Sequence, residues 1–313
     1  MSLTRILLLI APILSNYAPL SATEMRGMWV YEANTIAASD AESAALFAFC
    51  EKRQITDLFC QVHFSKPDEA TRVLENAEPL RRFLRMAHGR SLRIHALFGD
   101  PSHTRRAKHP VVLACTESLL AFNRSGSDND AFDGIHLDIE PHGLASWKTA
   151  TLEDKSELLM QFIEVHDLVA KRLRIEDVKP VFGTDIVFWL DKTGDDGSPV
   201  FPVSFGGVTL DPVRHLLSMV DQVAIMSYRK EVEERNGIIP LVSQTIAAAD
   251  ASQAKVFVGV KMADIGPKLE SFHGQTESQM MKALAPVDET FRPHRSYAGL
   301  AFFMYEAFKS MEP

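Results

Sequence analysis

Cysteine is scarce in this chain: Cys50, Cys60 and Cys115 are the only three in 313 residues. Their number is odd and none has the close spacing of a metal-binding knuckle. Cys60 falls in a strand-like apolar run and the other two in helix-like runs, which favours buried thiols over a disulfide framework. A membrane-spanning run is also lacking. Residues 6–14 are apolar but number about nine and include Pro12, against the roughly 20 that a bilayer requires. Basic runs are missing from an acidic chain, with 33 Lys and Arg against 41 Asp and Glu and a net charge of −8. Nucleic acid and anionic membrane surfaces are therefore poor partners, and a neutral or cationic substrate is easier to accommodate. Repeats, low-complexity segments, linkers and a glycine-rich first βα turn are absent as well. The last absence argues against a doubly wound dinucleotide-binding sheet.

What is present begins with an address. Arg5, the apolar residues 6–14 and the small pair Ser21-Ala22 read as a signal peptide over residues 1–22. The alternative is an uncleaved amphipathic anchor. Cleavage removes one cation and no acid, so −8 becomes −9, and it leaves residues 23–313, 291 in all. A secreted or periplasmic location follows from that reading, with no membrane attachment after cleavage.

The remaining chain alternates apolar runs of strand length with helical patterns. Strands are expected at 25–31, 55–63, 91–98, 134–140, 180–189, 222–228, 256–261 and 297–305. Helices are expected from Ser39 to about Arg53, then at 79–89, 111–122, 152–173, from Asp211-Pro212, at 240–251 and at 276–284. Ser39 with Glu42 three residues on is a helix-start pattern. Eight strands separated by helices, without a break in composition, predict one (β/α)8 barrel, an α/β fold of roughly 250 residues. Little chain remains after the eighth strand, so the closing helix must be short or absent.

The fourth strand carries the chemistry. Ile135, Leu137 and Ile139 alternate with His136, Asp138 and Glu140, so one face is aliphatic and the other ionisable. Same-face residues lie about 6.6 Å apart at roughly 3.3 Å rise per residue, close enough for the three to interact. Two buried carboxyls at that spacing resist joint ionisation, and one is pushed up into the range of a general acid. A charged face that merely solubilises an edge strand would carry the same pattern. Barrel active sites form where strands end. Those ends supply Tyr31-Glu32, His63, Phe98-Asp100, Asp138-Glu140, Asp185 with Phe188-Trp189, Tyr228-Arg229, Lys261 and Tyr305-Glu306. Aromatic faces interleaved with carboxylates suit sugar rings.

These residues resemble a known family. Asp133-Gly134-x-His136-x-Asp138-x-Glu140 is similar to the strand-four signature of glycoside hydrolase family 18, the chitinases and endo-β-N-acetylglucosaminidases, written Asp-Gly-x-Asp-x-Asp-x-Glu. Met226-Ser227-Tyr228 resembles the family's strand-six Met-x-Tyr-Asp, and Gly299-Leu300-Ala301-Phe302-Phe303 its strand-eight segment, where Phe303 stands for a Trp. The resemblance implies a glycosidase acting on an amino-sugar glycan or oligosaccharide, with no cofactor. Glu140 would protonate the glycosidic oxygen, while Asp138 and Tyr228 would orient the substrate's acetamido group, which serves as the nucleophile. Trp29, Glu32, His136, Asp185, Trp189, Arg229, Lys261, Phe303 and Tyr305 are the expected substrate-binding side chains.

Departures from the pattern carry their own expectations. His136 replaces an Asp that in the family shares a proton with position 138, and an imidazole there would donate to Asp138. Arg229 replaces an Asp. With Lys261 it places cations at the rim, to pair with Asp138 or Glu140, to bind an anionic sugar, or to form plain surface ion pairs. Only 35 residues, 262–296, separate strands seven and eight, which implies an open cleft, with the wall supplied instead by residues 190–207 and their Asp191, Asp195 and Asp196. Two other classes stay open: a barrel that binds glycans without cleaving them, and a metal-dependent hydrolase using His136, Asp138 and Glu140 with His63 or His142. Oligomeric state cannot be read from the sequence.

Overall fold

The computed structural model describes residues 25–313; the leader expected over residues 1–22 lies outside the described residues. Eight parallel strands close on themselves: β1 (Gly27–Val30), β2 (Asp57–Gln61), β3 (Arg93–Phe98), β4 (Gly134–Leu137), β5 (Val181–Val187), β6 (Gln222–Met226), β7 (Lys255–Lys261) and β8 (Tyr297–Phe303). Each pairs with the next, and β8 returns to β1 through Gly27↔Ala301 and Met28↔Phe302. This is the (β/α)8 barrel that the alternating pattern predicts. After the strands come α1 (Asp40–Arg53), α2 (Ala77–His88), α3 (His109–Arg124), α4 (Leu152–Leu173), α5 (Pro212–Leu217), α6 (Ile238–Ala249), α7 (Glu277–Phe291) and the four-residue α8 (Tyr305–Phe308). A two-stranded hairpin, Val203–Phe205 with Val208–Leu210, stands outside the barrel.

Local sequence sets the helix starts. The Ser39 hydroxyl accepts the Glu42 N–H at the head of α1, and reciprocal capping boxes, Thr151 with Asp154 and Thr276 with Gln279, begin α4 and α7. Expected to stop at residue 284, α7 instead runs through Pro286 to Phe291. Its far half is held by the buried Val287 and Phe291, and that tertiary packing overrides the backbone bond lost at the proline.

Strand alternation divides the apolar side chains into two cores. Outward residues such as Leu58, Ile94, Ile135, Leu137 and Phe182 pack against the helices, together with Cys50, Cys60 and Cys115, all free and buried. Inward residues Trp29, Phe59, Leu97, Ala224, Phe257 and Ala301 fill the barrel. Charge closes its lower end, where Asp57 receives hydrogen bonds from His95 at 3.0 Å and Arg93 at 2.7 Å. Asp133, first residue of the strand-four motif, is tied to this end as well: its carboxylate takes the Ile94 N–H at 2.7 Å and stands 3.0 Å from His88.

The top of β4 positions the site. Its ladder to β5 ends at Leu137↔Thr184, but the Asp138 N–H still donates to Phe98 O at 3.0 Å. Asp138 therefore stays with β3 where the ladder to β5 has ended. Gly99 allows this approach, since a Cβ there would lie 1.7 Å from the Asp138 carbonyl oxygen.

Candidate active site

Three ionisable side chains of the fourth strand stand at three depths. His136 is deepest and fully buried, with Nε2 3.0 Å from Asp185 Oδ1; the other Asp185 oxygen accepts the Trp29 indole N–H at 3.2 Å. Room for the imidazole comes from its ladder partner Gly183, where a Cβ would lie 2.4 Å from His136 Nδ1. The expectation that His136 donates to Asp138 is thus corrected. Same-face neighbours along one strand are about 6.6 Å apart, whereas adjacent strands are about 4.8 Å apart, so the cross-strand acid wins. Burial holds the imidazole down to about 3, so it is neutral.

Asp138 occupies the middle depth. Its Oδ2 accepts the Tyr31 hydroxyl at 3.4 Å, while Oδ1 is buried and finds no partner among the described residues. Burial, then the neighbouring Asp185, pushes its carboxyl up to about 7 against the opposing Tyr31 hydrogen bond. Glu140 is outermost and about one-third exposed. Burial and then Asp138 raise it to about 7 as well; His142, whose Nε2 is 3.7 Å from Oε2, acts in the opposite direction. Tyr228 faces the same space, its ring 5.3 Å from that of Phe303, and its phenol is raised by burial and then by Asp185. Phe303 also meets Tyr31 edge-on at 5.7 Å.

The rim cations settle into an ion-pair cluster away from the two acids. Lys261 Nζ donates to Glu270 at 2.7 Å and lies 5.2 Å from the Tyr228 ring centroid. Arg229 donates to the Tyr228 carbonyl at 2.7 Å, stacks on Phe188 and stands 3.9 Å from Glu270. Lys261 is buried, so its pair is not the plain surface bridge weighed from sequence. Trp189 belongs to an aromatic shelf beside Glu140, its ring 5.6 Å from His142, 5.8 Å from Trp147 and 5.7 Å from Phe201. Phe201 lies in the segment 190–207 expected to wall the cleft.

Five of the expected substrate-binding residues sit elsewhere. Trp29, His136 and Asp185 are 1%, 0% and 2% exposed, beneath the site rather than on its surface. Glu32 is exposed on the turn after β1, its carboxylate taking the Thr35 hydroxyl. Tyr305 is buried in the outer layer with its ring edge-on to Phe49, because the chain turns into α8 immediately beyond β8. Trp147 and Phe201 are the side chains that the sequence reading omits, while Tyr31 enters it only as a strand end and His142 only as a ligand of the metal alternative. Tryptophan rarity was the available signal for one of them: the chain has three, and all three gather at this end.

Among the described residues, no group of three or more His, Cys, Asp or Glu is placed to hold a metal ion. The metal-site alternative needs His136 turned toward Glu140, and its ring is committed to Asp185. Nor is any described helix long and apolar enough to cross a membrane.

No family model matches the chain, and no curated protein matches it by sequence. Solved structures do match. A GH18 chitinase from Cycas revoluta in complex with (GlcNAc)3 superposes with a TM-score of 0.54 at 12% identity, covering 90% of this chain and 95% of its own. A chitinase from Rhizomucor miehei gives 0.51 at 14%, covering 91% and 95%. The spore cortex-lytic enzyme SleL of Bacillus megaterium gives 0.52 at 10%, covering 90% and 70%. At such identities the likeness is one of fold: this chain has the barrel architecture on which those hydrolases are built.

Proposed function

We propose that the protein is a glycoside hydrolase that cleaves an amino-sugar glycan by substrate-assisted, retaining chemistry, as a divergent relative of family 18. The observation that carries the reading is Glu140: a carboxyl at the barrel mouth, raised to about 7 beside a second raised carboxyl. An acid so poised is protonated at neutral pH yet able to give its proton to a leaving oxygen. Asp138 and Glu140 titrate as a pair, and the productive state has the proton on Glu140 and the charge on Asp138.

In that state Glu140 protonates the glycosidic oxygen as the C–O bond breaks, and the substrate's acetamido carbonyl oxygen closes on the anomeric carbon. Asp138 accepts the acetamide N–H and stabilises the positive charge that develops, with the Tyr228 hydroxyl donating to the same group. Water then opens the cyclic intermediate, giving its proton to Glu140 and restoring the acid. The Trp189, Trp147 and Phe201 rings offer apolar faces for neighbouring sugar units. Resemblance of the barrel to a chitinase solved with an N-acetylglucosamine trimer supports the substrate class. Export by the leader at residues 1–22 belongs to the same proposal.

The test is turnover of a fluorogenic N-acetylglucosamine oligomer by the wild type and by Glu140→Gln. Loss of turnover in the variant with glycan binding retained supports the reading. Binding without turnover in the wild type would replace it with a glycan-binding barrel, and chelator-sensitive turnover with a metal-dependent hydrolase.

A further inference from the structure

Beneath the proposed catalytic pair lies an acid that the chemistry above does not use. The ladder between β4 and β5 ends at Leu137↔Thr184, so Asp138 and Asp185 are the next residues of two adjacent strands, near enough for each charge to act on the other. Leu137 points into the outer core, and the Thr184 hydroxyl meets His166 of α4 at 2.9 Å, so their successors both point inward. Asp185 is 2% exposed and Asp138 only partly reached by water. Two neighbouring carboxylates so placed repel strongly unless a positive charge or a proton intervenes.

Among the described residues no cation is placed to intervene. The groups facing the pair are Tyr31 beyond β1, His136 and Glu140 from the fourth strand and Tyr228 beyond β6. β2, β3 and β8 contribute Phe59, Leu97 and Phe303. Lys261 is engaged by Glu270, and His142 stands against Glu140. His136 cannot supply the charge either: its Nδ1 is buried without a partner among the described residues, and an imidazolium would leave a charged N–H unsatisfied there. A proton is the remaining compensation.

Its resting place is constrained. Asp185 Oδ2 is occupied by the Trp29 N–H and Oδ1 faces His136 Nε2. When Asp185 is an anion, the neutral ring holds its hydrogen on Nε2 and donates. When Asp185 is an acid, its O–H donates to Nε2 and the ring hydrogen sits on Nδ1.

We infer that Asp138 and Asp185 share one proton near neutral pH, that Asp185 is thereby the positioning residue deciding when Asp138 is an anion, and that the His136 tautomer follows the proton. The catalytic consequence rests on the hydrolase reading; the sharing itself does not.

Two measurements test it. In protein labelled with 15N-histidine, the ring nitrogens of His136 are followed by NMR from about pH 4 to about pH 9, across the range of perturbed carboxyls. The wild type should pass from the Nδ1–H to the Nε2–H form as pH rises. In Asp138→Asn that passage should move down by about one pH unit, because Asp185 then ionises without a charged neighbour. A passage that does not move, or a single tautomer throughout in both proteins, overturns the inference. In Asp185→Asn the acid limb of kcat/KM on the N-acetylglucosamine oligomer should move down by about one pH unit, while circular dichroism reports an intact fold; an unmoved limb overturns it. If the wild type turns over no amino-sugar probe, the hydrolase reading fails, and the His136 signals still decide whether the proton is shared.

Discussion

Replacing Asp138 by Asn should stabilise the protein, and only on one side of the pH scale. The folded protein holds this carboxyl near 7 against an ordinary 3.8. A folded value above the unfolded one means that the native state resists ionisation. The penalty is absent below the unfolded value, grows between the two, and is constant above about 7. At ~1.4 kcal/mol per pH unit the interval corresponds to ~4 kcal/mol. Water still reaches part of Asp138, which reduces this to about 2 kcal/mol. Asn keeps the shape and the carbonyl that accepts the Tyr31 hydroxyl. Urea unfolding at about pH 8 should therefore give a variant more stable by ~2 kcal/mol, a rise in Tm of about 5 °C for a chain of this size. At about pH 4 the two proteins should unfold together. A variant that is weaker at the higher pH, or that gains equally at both, would show that Asp138 carries no buried charge in the fold and would remove the electrostatic ground for its role.

Glu140→Gln should lower kcat by roughly 10²–10⁴ with little change in the affinity of the glycan, read from steady-state kinetics and calorimetry. Wild-type kcat/KM should fall as pH rises through about 7, where Glu140 gives up the proton that it must donate. His142→Ala removes the neighbour that lowers Glu140, so the falling limb should move to higher pH. At 3.7 Å across a partly solvated gap the charge interaction is about 1 kcal/mol, which limits the shift to under about one pH unit; a shift the other way would contradict the assigned contact. Gly183→Ala should cost about 1–3 kcal/mol in thermal unfolding, because the added methyl meets His136 at 2.4 Å and Gln222 at 2.9 Å.

The barrel and the inward face of its fourth strand could be read from the chain because both are written in period-two alternation, a local property. Ile135, Leu137 and Ile139 against His136, Asp138 and Glu140 decides which side chains enter the barrel, whatever the remaining strands do. Alternation does not state the depth at which each one sits or what it meets across the ladder. His136 and Asp185 are 49 residues apart in the chain and 3.0 Å apart in the fold, and their pairing depends on the register between β4 and β5, which no local pattern encodes. Tyr305 fails for the opposite reason: its distance from the last strand is right for a rim residue, but α8 begins there and rotates the ring outward onto Phe49. Trp147 and Phe201 lie in irregular segments, where spacing carries no direction at all. The same distinction accounts for the histidine at position 136. Judged along its own strand it breaks a run of acids and weakens the case for catalysis. Judged across the ladder it is neutral, clamped to a carboxyl that the next strand supplies. A barrel interior is shared by all its strands, so an acid lost from one can be matched by an acid on its neighbour, and a motif read along a single strand cannot register the exchange.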